Sequence, residues 1–137
     1  IKSMEGQAGG IIANSRSDIS NCYNIGTIDT NNESYCGGIS GYGSATITSC
    51  YNNGKIITEK NYKNSIANYA TKIKNSYCLV KYNDESENSI KEEKYFKMLP
   101  GNEGAVVDLL NSTNSDGNSV WKVDSLKNDG YPIFTWQ

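Results

Sequence analysis

The sequence predicts a mainly β fold, a parallel β-helix (β-solenoid) of about three 28-residue coils with a small α+β C-terminal cap. Three observations predict it. A motif recurs at an offset of 28 residues without a gap. Ile (14) and Tyr (10), both strand formers, far outnumber Leu (5) and Val (5). The composition also splits. Twelve of the 14 Ile precede residue 74, while all five Leu, both Trp, both Phe and both Pro follow residue 78. We therefore read residues 1–80 as repeats and 81–137 as the cap.

Copy one, near residues 9–36, runs Gly9-Gly10-Ile11, then Ile19-Ser20-Asn21-Cys22-Tyr23-Asn24, then Gly26-Thr27-Ile28. Copy two, near 37–64, runs Gly37-Gly38-Ile39, then Ile47-Thr48-Ser49-Cys50-Tyr51-Asn52, then Gly54-Lys55-Ile56. Nine positions are identical. Copy three, near 65–80, is weaker: Ser65-Ile66-Ala67, then Ile73-Lys74-Asn75-Ser76-Tyr77. It lacks the Gly pair and has Ser76 in place of Cys. Each full copy holds three short apolar stretches, near Gly9–Ala13, Asp18–Tyr23 and Gly26–Asp29, too short for helices and read as strands. In a parallel coil, equivalent residues stack about 4.8 Å apart. Three ladders follow: Ile11, Ile39 and Ile66; Ile19, Ile47 and Ile73; Ile28 and Ile56. A β-branched side chain packs well on its own kind across strands. Gly would serve corners that need positive φ or close backbone approach. An antiparallel meander or sandwich is the rival, but it supplies no cause for a gapless repeat.

The second half opens with a polar connection, 81–89. Ser89 to Glu92 forms a capping box that predicts a short helix over Ser89–Phe96. Gly104–Asn111 predicts a second helix. Val120–Val123 and Tyr131–Trp136 predict strands, with turn chemistry at Asn128-Asp129-Gly130 between them. Trp121, Phe134 and Trp136 are expected to cover the exposed end of the repeat stack, where bare strand edges invite aggregation.

Composition narrows the function. Leu, Ile, Val and Phe make 26 of 137 residues, just under the roughly 20% that accompanies disorder, but that rule also requires high net charge. The net charge is -2, which offers no basic field for nucleic acid. Histidine is absent, which excludes His triads and HExxH zinc sites. No run of about 18 apolar residues exists for a membrane-spanning helix, and membrane insertion is not expected. The chain begins Ile1-Lys2-Ser3 without a start Met or signal peptide, so it reads as a piece of a longer protein with further repeats on its N-terminal side.

These residues resemble the GLUG-motif repeats of bacterial surface proteins, a pattern of Gly-Gly-aliphatic, then Ile-x-Asn-Cys-Tyr, then Gly-x-aliphatic. Copies one and two follow it closely and copy three in part. Val107-Asp108-Leu109-Leu110-Asn111, Trp121 and Asn128-Asp129-Gly130-Tyr131-Pro132-Ile133 resemble the segment that follows the last such repeat. The resemblance covers most of residues 9–136. It implies a right-handed β-helix in a secreted or wall-attached protein of a Gram-positive, clostridial-type bacterium. It carries no catalytic residues across.

Cys22, Cys36, Cys50 and Cys78 leave two readings open. A one-coil offset brings Cys22 and Cys50 within disulfide range, or all four are buried free thiols acting as small hydrophobes. Without His or a CxxC pair, no metal site is expected, and no cofactor. Tyr23, Tyr51 and Tyr77 form a further ladder. Strict alternation from Ile19 turns Tyr23 inward, whereas a bend at Asn21 turns it outward. The bend is favoured, because Asn tolerates left-handed backbone. An outward strip either stacks on sugar rings or a protein partner, or only stabilises the sheet. Asn21, Ser49 and Asn75, and likewise Asn24 and Asn52, are expected to bond between coils. Asp18, Asp29, Glu33 and Glu59 do not align between copies, and Arg16 is the sole arginine, so no enzymatic activity is expected. The expected role is a stalk, adhesin or ligand-contacting module, outside the cell or on its wall, meeting a host or cell-surface protein or glycan. The alternatives are a carbohydrate-binding appendage of a secreted enzyme and, less favoured, a polysaccharide lyase or hydrolase.

Overall fold

A computed structural model describes residues 1–3, 6–30, 35–58, 63–70, 72–78, 96–97, 103–114 and 116–137. The chain is mainly β, with parallel sheets built between copies and one helix among the described residues. Copy one pairs with copy two at the 28-residue offset in each of the five parallel sheets: Gln7 with Tyr35, Ile12 with Ser40, Ile19 with Ile47, Tyr23 with Tyr51 and Ile28 with Ile56. Copy three continues the pairing with slightly shorter offsets. Cys36 meets Lys63, Ser40 meets Ala67, Ile47 meets Ile73 and Tyr51 meets Tyr77. These pairings are parallel, which overturns the meander.

Each full copy holds five short strands, where three were expected. In copy two they are Tyr35–Gly37, Ser40–Gly43, Thr46–Thr48, Tyr51–Asn52 and Ile56–Ile57. The extra breaks are corners inside the expected stretches. At the first, Ile11 and Ile12 N–H both donate to Ile39 O (3.0 and 3.1 Å), and Ile39 and Ser40 N–H both donate to Ile66 O (2.7 and 3.1 Å). At the second, Asn21, Ser49 and Asn75 stand at φ 51°, 53° and 43°. The left-handed residue turns the chain, so Cys22 and Cys50 face the apolar interior and the tyrosines after them face away.

The glycine pairs serve close approach. A Cβ on Gly37 would lie 2.8 Å from Ala67 Cα of the next copy, and one on Gly38 would lie 2.2 Å from Ser65 O of the next copy and 2.3 Å from the Asn52 amide of its own. No side chain fits where one copy's backbone rests on the next.

The interior holds Ile39, Ile47, Cys50, Ile66, Ala67, Ala70, Ile73 and Cys78, and a second cluster joins Ala8, Ile28, Cys36 and Ile56. Two ladder positions are less buried than expected. Ile11 is 47% exposed and Ile19 is half-buried. Both lie in edge strands or beside them, with copy two on one flank and no described strand on the other. Ile28 is fully buried, because its strand lies between Ile56–Ile57 and Lys2–Ser3.

The C-terminal unit has the helix Glu103–Asn111 and an antiparallel pair, Trp121–Lys122 with Ile133–Phe134. Both strands are shorter than expected, and Asn128–Gly130 forms a turn of 3-10 helix. Asn111 ties the helix end to the strand. Its Oδ1 accepts from Val120 and Trp121 N–H (2.9 and 3.0 Å), and its Nδ2 donates to Trp121 O (3.0 Å). The helix expected over Ser89–Phe96 lies outside the described residues, save Phe96. That residue belongs to a strand, Phe96–Lys97, paired in parallel with Tyr77–Cys78.

Candidate functional site

The structure first relocates the aromatic strip. Tyr23, Tyr51 and Tyr77 do point away from the interior, in register through parallel pairing. Tyr23 and Tyr51 stack at 5.1 Å between ring centroids, with planes 12° apart. However, Val106, Leu110 and Trp121 of the C-terminal unit pack over them. Tyr51 and Tyr77 are fully buried and Tyr23 is half-buried. An outward strip open to a ligand is therefore corrected: the C-terminal unit occupies that face. Trp121 thus lies against the flank of copies one and two rather than over an end of the stack.

Polar bonds fix this docking. Trp121 Nε1 donates to Asn21 Oδ1 (3.1 Å), Asn75 Nδ2 donates to Ser112 Oγ (2.9 Å), and Ser49 and Thr113 join hydroxyls. All three left-handed corner residues thus bond to the C-terminal unit, where bonds between copies were expected. Tyr51 OH donates to Pro132 O and accepts from Asn128 Nδ2 (2.9 Å). Burial pushes the Tyr51 and Tyr77 hydroxyls above the usual phenol range.

All four cysteines are free thiols. The Cys22 and Cys50 thiols donate to Ser20 O and Thr48 O, both at 3.3 Å, and the neighbouring Cys50 thiol brings Cys22 down to about 7 against the opposing effect of burial. The neighbouring Cys22 thiol, then burial, pushes Cys50 up. Cys36 is buried against the Thr30 hydroxyl at 3.0 Å, and burial raises it.

A second aromatic group is open to solvent. Tyr35, Tyr42 and Tyr69 form a triangle, with ring centroids 5.6 Å (Tyr35 to Tyr42), 5.8 Å (Tyr35 to Tyr69) and 5.1 Å (Tyr42 to Tyr69) apart. Tyr42 and Tyr69, with Asn14, Arg16, Gly43 and Ser44, line a surface pocket of about 260 Å³. Arg16 is exposed and makes no ion pair or hydrogen bond with any described residue. Tyr69 is 42% exposed and stands at φ 61°. A bulky residue in the left-handed region is a strained position.

Repeat variation builds this pocket. In copy one, Gln7 and Asn14 occupy the places of Tyr35 and Tyr42, and Asn14 Nδ2 donates to Gln7 Oε1 (3.0 Å). In copy two the amide pair becomes an aromatic pair. Sequence reasoning missed it because it followed the identical positions of the repeat. The signal lay in the substituted ones: polar at 7 and 14, Tyr at 35 and 42, then Tyr69 one 27-residue step beyond Tyr42.

No model of a known protein family, no curated protein and no solved structure matches the chain.

Proposed function

We propose that residues 1–80 are a segment of right-handed parallel β-helix, and that the chain is a non-catalytic repeat module of a secreted or wall-attached bacterial surface protein. In this reading it is a stalk or adhesin segment of GLUG type. The observation that carries it is the register. Five successive strands of copy one meet their equivalents in copy two at one offset of 28 residues, as stacked coils require. The edge strands of copy one support a second element of the proposal. Ile11 and Ile12 are 47% and 37% exposed there, apolar surface that a preceding repeat of the parent protein would cover. A second reading, a carbohydrate-binding appendage of a secreted enzyme, is favoured by the open tyrosine pocket. The test is to offer the purified chain polysaccharides, cell-wall fragments and host matrix proteins, and to follow both retention and turnover. Retention without turnover supports the module. Sustained, enzyme-concentration-dependent cleavage of any of them sinks it.

A further inference from the structure

We propose that the pocket of Tyr42, Tyr69, Arg16 and Asn14 is a saccharide site that selects a pyranose carrying a carboxylate, a uronic acid. This rests on the reading of the chain as a ligand-contacting, non-catalytic module and names the ligand class.

Three features carry the assignment. The first is the platform. The rings of Tyr42 and Tyr69 are 5.1 Å apart with planes inclined by 51°, so they form an angled wall, with Tyr35 behind it. Aromatic faces pack the axial C–H face of a sugar, and Tyr hydroxyls keep the rim wet. The pocket, about 260 Å³, falls a little below the roughly 300 Å³ at which small-molecule clefts begin, which suits one sugar ring with its neighbours in solvent.

The second feature is charge. Arg16 is the only arginine of the chain, lines the pocket and bonds no described residue. A guanidinium in this state presents its planar fork for two-point bonding to a carboxylate. The nearby carboxylate of Asp18 is turned to the backbone, where Oδ1 accepts from Thr46 N–H at 3.0 Å. Asn14 is exposed at the pocket wall. Its Nδ2 bonds Gln7, and its side-chain carbonyl can accept from a sugar hydroxyl.

The third feature is the cost of the arrangement. Tyr69 holds its ring against Tyr42 from left-handed backbone, φ 61°, where glycine or asparagine is the cheaper choice. Residues in such strain gather at binding sites. Here the strain keeps an aromatic ring exposed.

Calorimetric titration of the full chain with a galacturonic acid trisaccharide and a neutral glucose trisaccharide tests the site. The acidic sugar is expected to bind about tenfold more tightly or better, the gain of a charge-assisted bond. Arg16→Gln is expected to bring the affinity for the acidic sugar down to that for the neutral one. Tyr69→Gly is expected to abolish both, with an unchanged or raised melting temperature, because glycine suits φ 61°. Equal binding of the two sugars, an acidic preference that survives Arg16→Gln, or binding that survives Tyr69→Gly would each overturn the site. Absence of all binding would overturn it too and leave the module reading standing. Cleavage of the acidic sugar, lost in both variants, would support the site and sink the non-catalytic reading.

Discussion

Asn24 Nδ2 donates to Asn52 Oδ1 at 2.9 Å, across 28 residues of sequence and one strand spacing. Each amide also closes its own turn: Gly26 N–H donates to Asn24 Oδ1 and Gly54 N–H to Asn52 Oδ1, both at 3.0 Å. Asn52 Nδ2 then donates to Ser65 O at 3.0 Å. The row carries hydrogen bonding from copy one to copy three through a buried turn.

Asn52 is the central member, 1% exposed, whereas Asn24 is 9% exposed. Asn52→Ala strands buried partners on both sides. It is expected to cost about 2–4 kcal/mol, since each orphaned buried group costs about 1–3 kcal/mol. Asn24→Ala is expected to cost about half as much, because water can reach part of its site. Urea unfolding of the two variants decides this. Equal losses would remove the argument that the row acts as a ladder.

The bond from Trp121 Nε1 to Asn21 Oδ1 joins the C-terminal unit to a corner of copy one. Asn21→Gly removes the acceptor and keeps the left-handed backbone, φ 51°. A double-mutant cycle with Trp121→Phe is expected to show a coupling of about 1 kcal/mol. A coupling near zero would detach the corner from the docking of the C-terminal unit.

Cys22 packs against the interior cluster that holds Cys50, and the neighbouring Cys50 thiol brings Cys22 down to about 7. When Cys22 ionises, the Cys50 S–H can turn from Thr48 O to the thiolate, which favours the ionised form of Cys22 and the neutral form of Cys50. Alkylation of Cys22 in the native protein is therefore expected to rise with pH, with its midpoint near 7, while Cys50 stays unmodified. Cys50→Ala removes the donor and leaves burial, which raises the Cys22 midpoint toward or above the ordinary thiol value of about 8.5. Mass spectrometry of iodoacetamide-treated protein across about pH 6–9 reads both. A midpoint unmoved in Cys50→Ala would refute the pairing.

The repeat, the parallel stacking and the buried ladder members Ile28, Ile39, Ile47, Ile56, Ile66 and Ile73 were legible because identical residues recur where identical environments recur. Ile47 and Ile73, Tyr51 and Tyr77 needed only an offset. The bend at Asn21 was legible from one residue's tolerance of positive φ. The covering of the tyrosine strip was not. It depends on where a non-repeating segment docks, and Val106, Leu110 and Trp121 carry no repeat signal that points to Tyr51. The open pocket was hidden for the opposite reason. It arises where copies differ, Gln7 against Tyr35 and Asn14 against Tyr42, and a search for identity passes over such positions.

The two kinds of glycine in this chain separate local propensity from contact between copies. Gly38 lies where copy two rests on copy three, and a Cβ there meets Ser65 O at 2.2 Å and Asn52 Nδ2 at 2.3 Å. Neither neighbour can yield, because Asn52 is held by its own bonds and Ser65 O accepts from Asn52 Nδ2. Gly38→Ala therefore has to push the copies apart or break the asparagine row. It is expected to cost more than about 3 kcal/mol, above the usual range for single substitutions. Gly104 lies in the first turn of the helix Glu103–Asn111, and a methyl group added there meets nothing within 4 Å. Gly104→Ala is expected to stabilise by about 0.5–1 kcal/mol, since alanine loses less backbone freedom in a helix. Thermal and urea unfolding of both variants checks the contrast. If Gly38→Ala were as benign as Gly104→Ala, the packing of copy two on copy three described above would be wrong.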